Sequence, residues 1–311
     1  KEKQLMIEQL NATEDQPAAA AFQDYLQLFY GNHPIGLPAN AIADRVKNFT
    51  RDDLLAWYQK VYIPDNMVIS VVGKVDPGVI ESLFRETLGK MPARERPEAV
   101  IAETPSKSRN QQIVKLRESQ ALFMVLGFPA PRITDGDYPV MEVINYILGG
   151  DMGSRLFMEL REKKGLAYDV STGYNTGDYP GTVFAFMATE PSNYQEARDG
   201  LIKEFQRLMV ETVPERELTA AKQAVKGAFL MSHETNAGQN RLLARYEILG
   251  LGYQQDQRYP GLVKKVTAKD IQIVAKRYFS HYILSMVSPV DIPSLKASKA
   301  SFEEGKEFYQ D

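Results

Sequence analysis

Apolar positions recur every three to four residues through most of this chain, and that helical period gives way in only a few places. Residues 1–13 read as a helix with Leu5 and Met6 on one face. Residues 18–30 read as a second, with Phe22, Leu26, Phe29 and Tyr30 at helical spacing, and Gly31 to Gly36 as a turn cluster. Thr50 with Asp53 three residues on predicts a capped helix whose apolar face holds Leu54, Trp57, Tyr58 and Val61. Met67–Val72 is a continuous apolar run bounded by Gly73, the pattern of a buried strand, and 77–88 is again amphipathic. Beyond a proline-bearing stretch at 90–110, strands are expected at 111–117, 121–128 and 182–188, and a helix that buries Met141, Ile144, Ile147 and Leu148. Ser192 with Gln195 predicts a capping box for a helix carrying Ala197, Leu201, Phe205 and Leu208. Helices to about 232 and over 237–249, a Thr267/Asp270-capped helix and a strand at 283–287 complete the pattern.

The densest chemistry lies in residues 148–174. Gly149, Gly150 and Gly153 precede Ser154, which stands where a helix N-cap belongs. Leu156, Phe157 and Leu160 give a short helix its apolar face, and Gly165 ends it. The period then switches to two, through Tyr168, Val170, Thr172 and Tyr174, with 182–188 as an antiparallel partner. Arg161 near the helix end and Tyr168 near the strand start are separated by one glycine turn, so both can point at one spot. A forked cation and a phenol donor suit a peptide carbonyl or a developing oxyanion. Helix capping by Arg161 and sheet packing by Tyr168 are the structural alternatives. The glycine cluster is not a phosphate loop, because no Gly-Lys-Ser/Thr follows it.

The run Ser154-Arg-Leu-Phe, Leu160-Arg-Glu-Lys and Gly165-Leu-Ala-Tyr168 resembles the signature of the second homologous domain in the insulinase/pitrilysin family of zinc metallopeptidases. The resemblance implies an α+β fold of tandem homologous domains, each an antiparallel sheet packed by helices. It also implies that Arg161 and Tyr168 bind peptide substrate and stabilise the transition state, across a closed chamber from a zinc site.

An internal repeat supports that organisation. Val46–Leu54 matches Val263–Ile271, and Val68-Ile-Ser-Val-Val72 matches Ile283-Leu-Ser-Met-Val287. Lys3–Gly31 and Lys222–Gly250 have equal length and the same order of helix, polar break, helix and glycine. The offset is 219 residues from Lys3 to Lys222 and 215 from Val68 to Ile283. The second copy runs from about 111, so the first copy lacks roughly a hundred residues of counterpart ahead of Lys1. The domain reading is therefore 1–92 as the C-terminal part of a first insulinase-like domain and 93–110 as a linker. A complete second domain follows at 111–295, then a polar tail at 296–311.

The resemblance places an inverted zinc motif, His-x-x-Glu-His, in the first domain, and it does not occur here. His33, His233 and His281 are the only histidines, and none is near another in sequence. The family's third zinc ligand is a Glu on a downstream helix, which puts Glu8 close to that position, with Glu2 and Glu14 as competitors. One carboxylate cannot hold catalytic zinc, which takes three protein ligands. Zinc is thus expected in the complete enzyme and none on this chain alone. The expected partners are a peptide substrate and a zinc-bearing half-domain or subunit, or a second copy of the chain. The alternative is a non-catalytic structural or scaffold member, such as the family's core subunits of respiratory complexes. A formal net charge of −3 argues against a nucleic-acid surface. No membrane span and no signal peptide are read, which leaves a soluble protein of periplasm or cytoplasm. The absence of cysteine excludes disulfides, thiolate zinc sites and a nucleophilic thiol.

Overall fold

The 3.6-residue period builds eleven helices among the residues that the computed structural model describes, 1–95, 109–177 and 179–292. They are α1 (Glu2–Asp15), α2 (Pro17–Tyr30), α3 (Ala39–Asn48), α4 (Arg51–Val61), α5 (Pro77–Thr87), α6 (Tyr138–Gly149), α7 (Tyr194–Val210), α8 (Glu215–Met231), α9 (Asn236–Ile248), α10 (Gln255–Lys265) and α11 (Ala268–Tyr278). Five strands join them: β1 (Gln111–Leu116), β2 (Leu122–Ala130), β3 (Asp169–Asn175), β4 (Gly181–Thr189) and β5 (Ile283–Ser288). The described residues fall into two compact units, one from 1–47, 102–221 and 266 onward, the other from 48–101 and 222–265. Each unit draws on both halves of the chain, before and after the 93–110 stretch.

The first unit is built on a sheet of order β1-β5-β2-β4-β3. It is mixed, because β1 runs parallel to β5 while the other pairs are antiparallel. Strand alternation divides its side chains between two faces. One face carries Val125, Ile283 and Val287, covered by Ala20, Ala21, Tyr25, Phe29 and Tyr30 of α2. Tyr25 sits so close over Gly127 that a Cβ there would lie 2.3 Å from its hydroxyl, which is why β2 has a glycine in its middle. The opposite face packs Phe128 against Phe205 of α7 and Phe279 after α11, with ring centroids 4.7 and 5.0 Å away.

The second unit departs from the sequence expectation. Met67–Val72 forms no strand, and Val68, Ile69 and Val71 are exposed instead of buried. No strand lies beside it among the described residues, and a strand needs a hydrogen-bonded neighbour. The α4 face of Leu54, Trp57 and Tyr58 is likewise exposed. Two helices escaped the pattern: α3 buries Ala39, Ala43 and Val46, where alanines weaken the signal, and α10 contains Pro260. The expected Ser192/Gln195 box does not form. Pro191–Asn193 winds as a 3-10 turn leading into α7, so Ser192 never takes the extended cap conformation. The repeat's two threonine boxes do form. Thr50 and Asp53, like Thr267 and Asp270, exchange side-chain to backbone bonds of 2.8–3.2 Å. Most of the 90–110 stretch and the whole 296–311 tail lie outside the described residues.

Candidate functional site

Gly149 to Tyr168 forms one continuous device. Thr172 of β3 leaves Gly149 no room for a side chain, with its backbone nitrogen 2.6 Å from where a Cβ would sit, so α6 ends pressed on the sheet. Ser154 does not cap by its side chain as expected. Its hydroxyl donates to the Asp151 carbonyl at 2.6 Å, and its own carbonyl receives the Met158 N–H at 3.0 Å. Arg155 follows, buried, and donates a bidentate pair to the Glu217 carboxylate of α8 at 2.7 and 2.8 Å. Glu204 of α7 lies buried near it. Burial pushes that carboxyl up, against the opposing pull of Arg207 and Arg155.

The helix is not α over the turn that carries Arg161. Phe157–Glu162 is π-wound, with the Lys163 N–H reaching Met158. Such turns carry one residue more than an α-helical turn and are frequent at functional sites. Its glycine cap is correspondingly wide. Gly165, at φ 62°, donates to Arg161 and Leu166 to Leu160, one residue beyond the usual paired cap. Leu156 and Leu160 anchor the turn in the core, while Arg161 is exposed. The Arg161 guanidinium lies 5.0 Å from the Phe157 ring centroid, and among the described residues no carboxylate pairs with it and no helix carbonyl accepts from it.

Tyr168 is tied to the sheet by its N–H to the Ala188 carbonyl at 2.9 Å, yet its side chain is 60% exposed. Its hydroxyl donates to Glu190 Oε2 at 2.7 Å, and that carboxylate holds the phenol's pKa above its ordinary value. Tyr168 is therefore a protonated donor at neutral pH. Glu190, the acceptor, was not evident in the sequence. Only its place before Pro191, at the end of β4, marks it. Glu8 lies on an exposed stretch of α1, its carboxylate accepting from Gln4 at 3.0 Å. Among the described residues no group of three or more His, Asp or Glu is gathered to hold a metal. His33 and His233 are engaged elsewhere: His33 accepts the Ile35 N–H, and His233 contacts Asp256.

The peptidase M16 inactive domain, as a family model, matches residues 48–225, more than half of the chain. The chain belongs to the peptidase M16 inactive-domain family. Its M16 relatives include an uncharacterized zinc protease of Bacillus subtilis, 26% identical over 93% of this chain and 70% of that protein. Another, from Mycobacterium leprae, is 25% identical over 89% of this chain and 64% of its own length. The M16 fold is shared with a peptidase M16 inactive domain from Pseudomonas fluorescens (TM-score 0.83, 21% identity, 93% of this chain and 70% of that one). It is also shared with a chain of Complex III2 from Candida albicans (TM-score 0.81, 15% identity, 93% and 71%). No described helix is long and apolar enough to cross a membrane.

Proposed function

We propose that this chain is the substrate-anchoring portion of an insulinase-like zinc peptidase, with metal and general base supplied by another half-domain or subunit. The supporting observation is the exposed Tyr168 hydroxyl, a neutral donor, placed directly after the π-wound turn that presents the Arg161 guanidinium. Arg161 binds backbone carbonyls of the peptide. Tyr168 leaves Glu190 and donates to the scissile carbonyl oxygen as charge builds there, which stabilises the transition state more than the ground state. The donor set of the described residues does not make a zinc site, so no step is assigned to metal on this chain. Glu8 is proposed only as a carboxylate that a two-histidine partner site would complete.

In the enzyme assembled with its zinc-bearing half, Tyr168→Phe is expected to lower kcat by about ten- to a thousandfold, with KM little changed. Peptide cleavage assays read this, and full turnover by the variant would refute the role. The second reading, a structural member without catalysis, is favoured by the fold shared with the Complex III2 chain. It predicts no peptide cleavage from any assembly of this chain, whether or not Tyr168 is intact.

A further inference from the structure

The chain between Arg161 and Tyr168 is hung between the π-wound turn and the end of β4. On the side of the turn, the Gly165 N–H donates to the Arg161 carbonyl at 3.1 Å and the Leu166 N–H to the Leu160 carbonyl at 2.8 Å. On the side of the strand, the Tyr168 N–H donates to the Ala188 carbonyl at 2.9 Å, and the Thr189 hydroxyl donates to the Leu166 carbonyl at 2.6 Å. Of these bonds only the last comes from a side chain. The peptide groups of Leu166 thus carry a continuous link, from the Leu160 carbonyl through its own N–H and carbonyl to Thr189.

Thr189 is fully buried. Valine would fill the same shape without a hydroxyl, and a hydroxyl out of water is costly unless it is bonded. The oxygen at this position is therefore engaged, and the group it engages belongs to the turn rather than to a neighbouring strand. The next residue is Glu190, which is exposed and accepts from the Tyr168 hydroxyl. One residue at the end of β4 so holds the peptide between Arg161 and Tyr168, and its neighbour holds the phenol. Without the Thr189 donor, the Leu166 carbonyl is left buried and unsatisfied, and it has to shift toward water to find another partner. Such a shift carries the Gly165 turn away from β4.

We infer that Thr189 is a positioning residue for Arg161 and Tyr168: its hydroxyl, through the Leu166 carbonyl, sets the span from the π-wound turn to the start of β3. It is buried behind the turn and touches no substrate. The effect on turnover rests on the anchoring role proposed above, whereas the effect on the geometry of Tyr168 does not.

The test compares Thr189→Val, which keeps the shape and removes the donor, with Thr189→Ser, which keeps the donor. In the enzyme assembled with its zinc-bearing half, Thr189→Val is expected to lower kcat/KM by about ten- to a hundredfold, and Thr189→Ser to retain most of the activity. Placed on Tyr168→Phe, Thr189→Val should cost less than it does alone, because groups that act as a unit are not additive. On this chain by itself, the titration of ring-labelled Tyr168 followed by NMR should shift toward the ordinary value of about 10 in Thr189→Val and return in Thr189→Ser, since a displaced turn parts the phenol from Glu190. Thr189→Ala gives the same comparisons should the valine variant not fold. A lowered thermal midpoint with turnover and Tyr168 titration both unmoved would make Thr189 a structural tie alone and overturn the inference. If the titration follows Thr189 while Tyr168→Phe leaves turnover intact, the positioning stands and the anchoring role fails.

Discussion

A phenol that donates a hydrogen bond to a carboxylate 2.7 Å away is held in its neutral form, and the same contact occupies the donor. Glu190 therefore has two effects on Tyr168: it orients the hydroxyl and, under the proposed anchoring role, has to release it before another oxygen can accept from it. Glu190→Gln removes the charge and keeps the shape. The Tyr168 pKa is expected to fall toward its ordinary value of about 10 in that variant. NMR titration of Tyr168 with ring-labelled tyrosine measures this, and an unmoved titration would show that the carboxylate does not govern it. None of this was available from residue order. Arg161 and Tyr168 stand out through their spacing about Gly165, whereas Glu190 reaches Tyr168 through the β3–β4 pairing, in which Asp169 lies opposite Ala188.

At the scale of elements, capping chemistry was legible where side chain and backbone answer each other locally, as in the boxes at Thr50 and Thr267. It failed at Ser192, where a neighbouring proline imposed a different turn, and at Ser154, whose hydroxyl turned back to Asp151. The π winding of Phe157–Glu162 was hidden because an amphipathic period does not distinguish it from an α turn over so few residues. The α8–α9 connection carries a pH-sensitive tie. His233 sets Nδ1 2.7 Å from the Phe229 carbonyl and Nε2 2.8 Å from Asp256 of α10, so both nitrogens face acceptors. Burial is the largest single influence and lowers its pKa, but the carbonyl and the carboxylate together outweigh it and raise the pKa above 6.5. A raised folded pKa gives stability that is fully present below about pH 6.5 and lost as pH rises through the folded value. The thermal midpoint of this part of the protein should thus be higher at pH 6 than at pH 8, by the equivalent of less than about 1 kcal/mol. His233→Gln should remove that slope in calorimetric scans, and a slope that survives the substitution would assign it to other groups.

For the whole molecule, matching segments were readable in the sequence and their packing was not. Sequence order suggests that each copy folds on itself, yet α2 of the first copy covers the β5–β2 face of the second. Segments can match in sequence, but which helix covers which face depends on long-range contacts that no local pattern records. Removing residues 1–47 should strip that face. The loss includes Tyr25, Phe29 and Tyr30, all fully buried, and each buried aromatic contributes about 3 kcal/mol or more. Residues 48–311 are expected to be insoluble or to bind a hydrophobic dye strongly. A soluble product with unchanged near-ultraviolet circular dichroism would contradict this.

The interleaving of α2 with the later sheet also limits how such a polypeptide can be divided between genes. A break at the prolines between the two halves would part Tyr25, Phe29 and Tyr30 from the sheet residues Val125, Ile283 and Val287 that they cover.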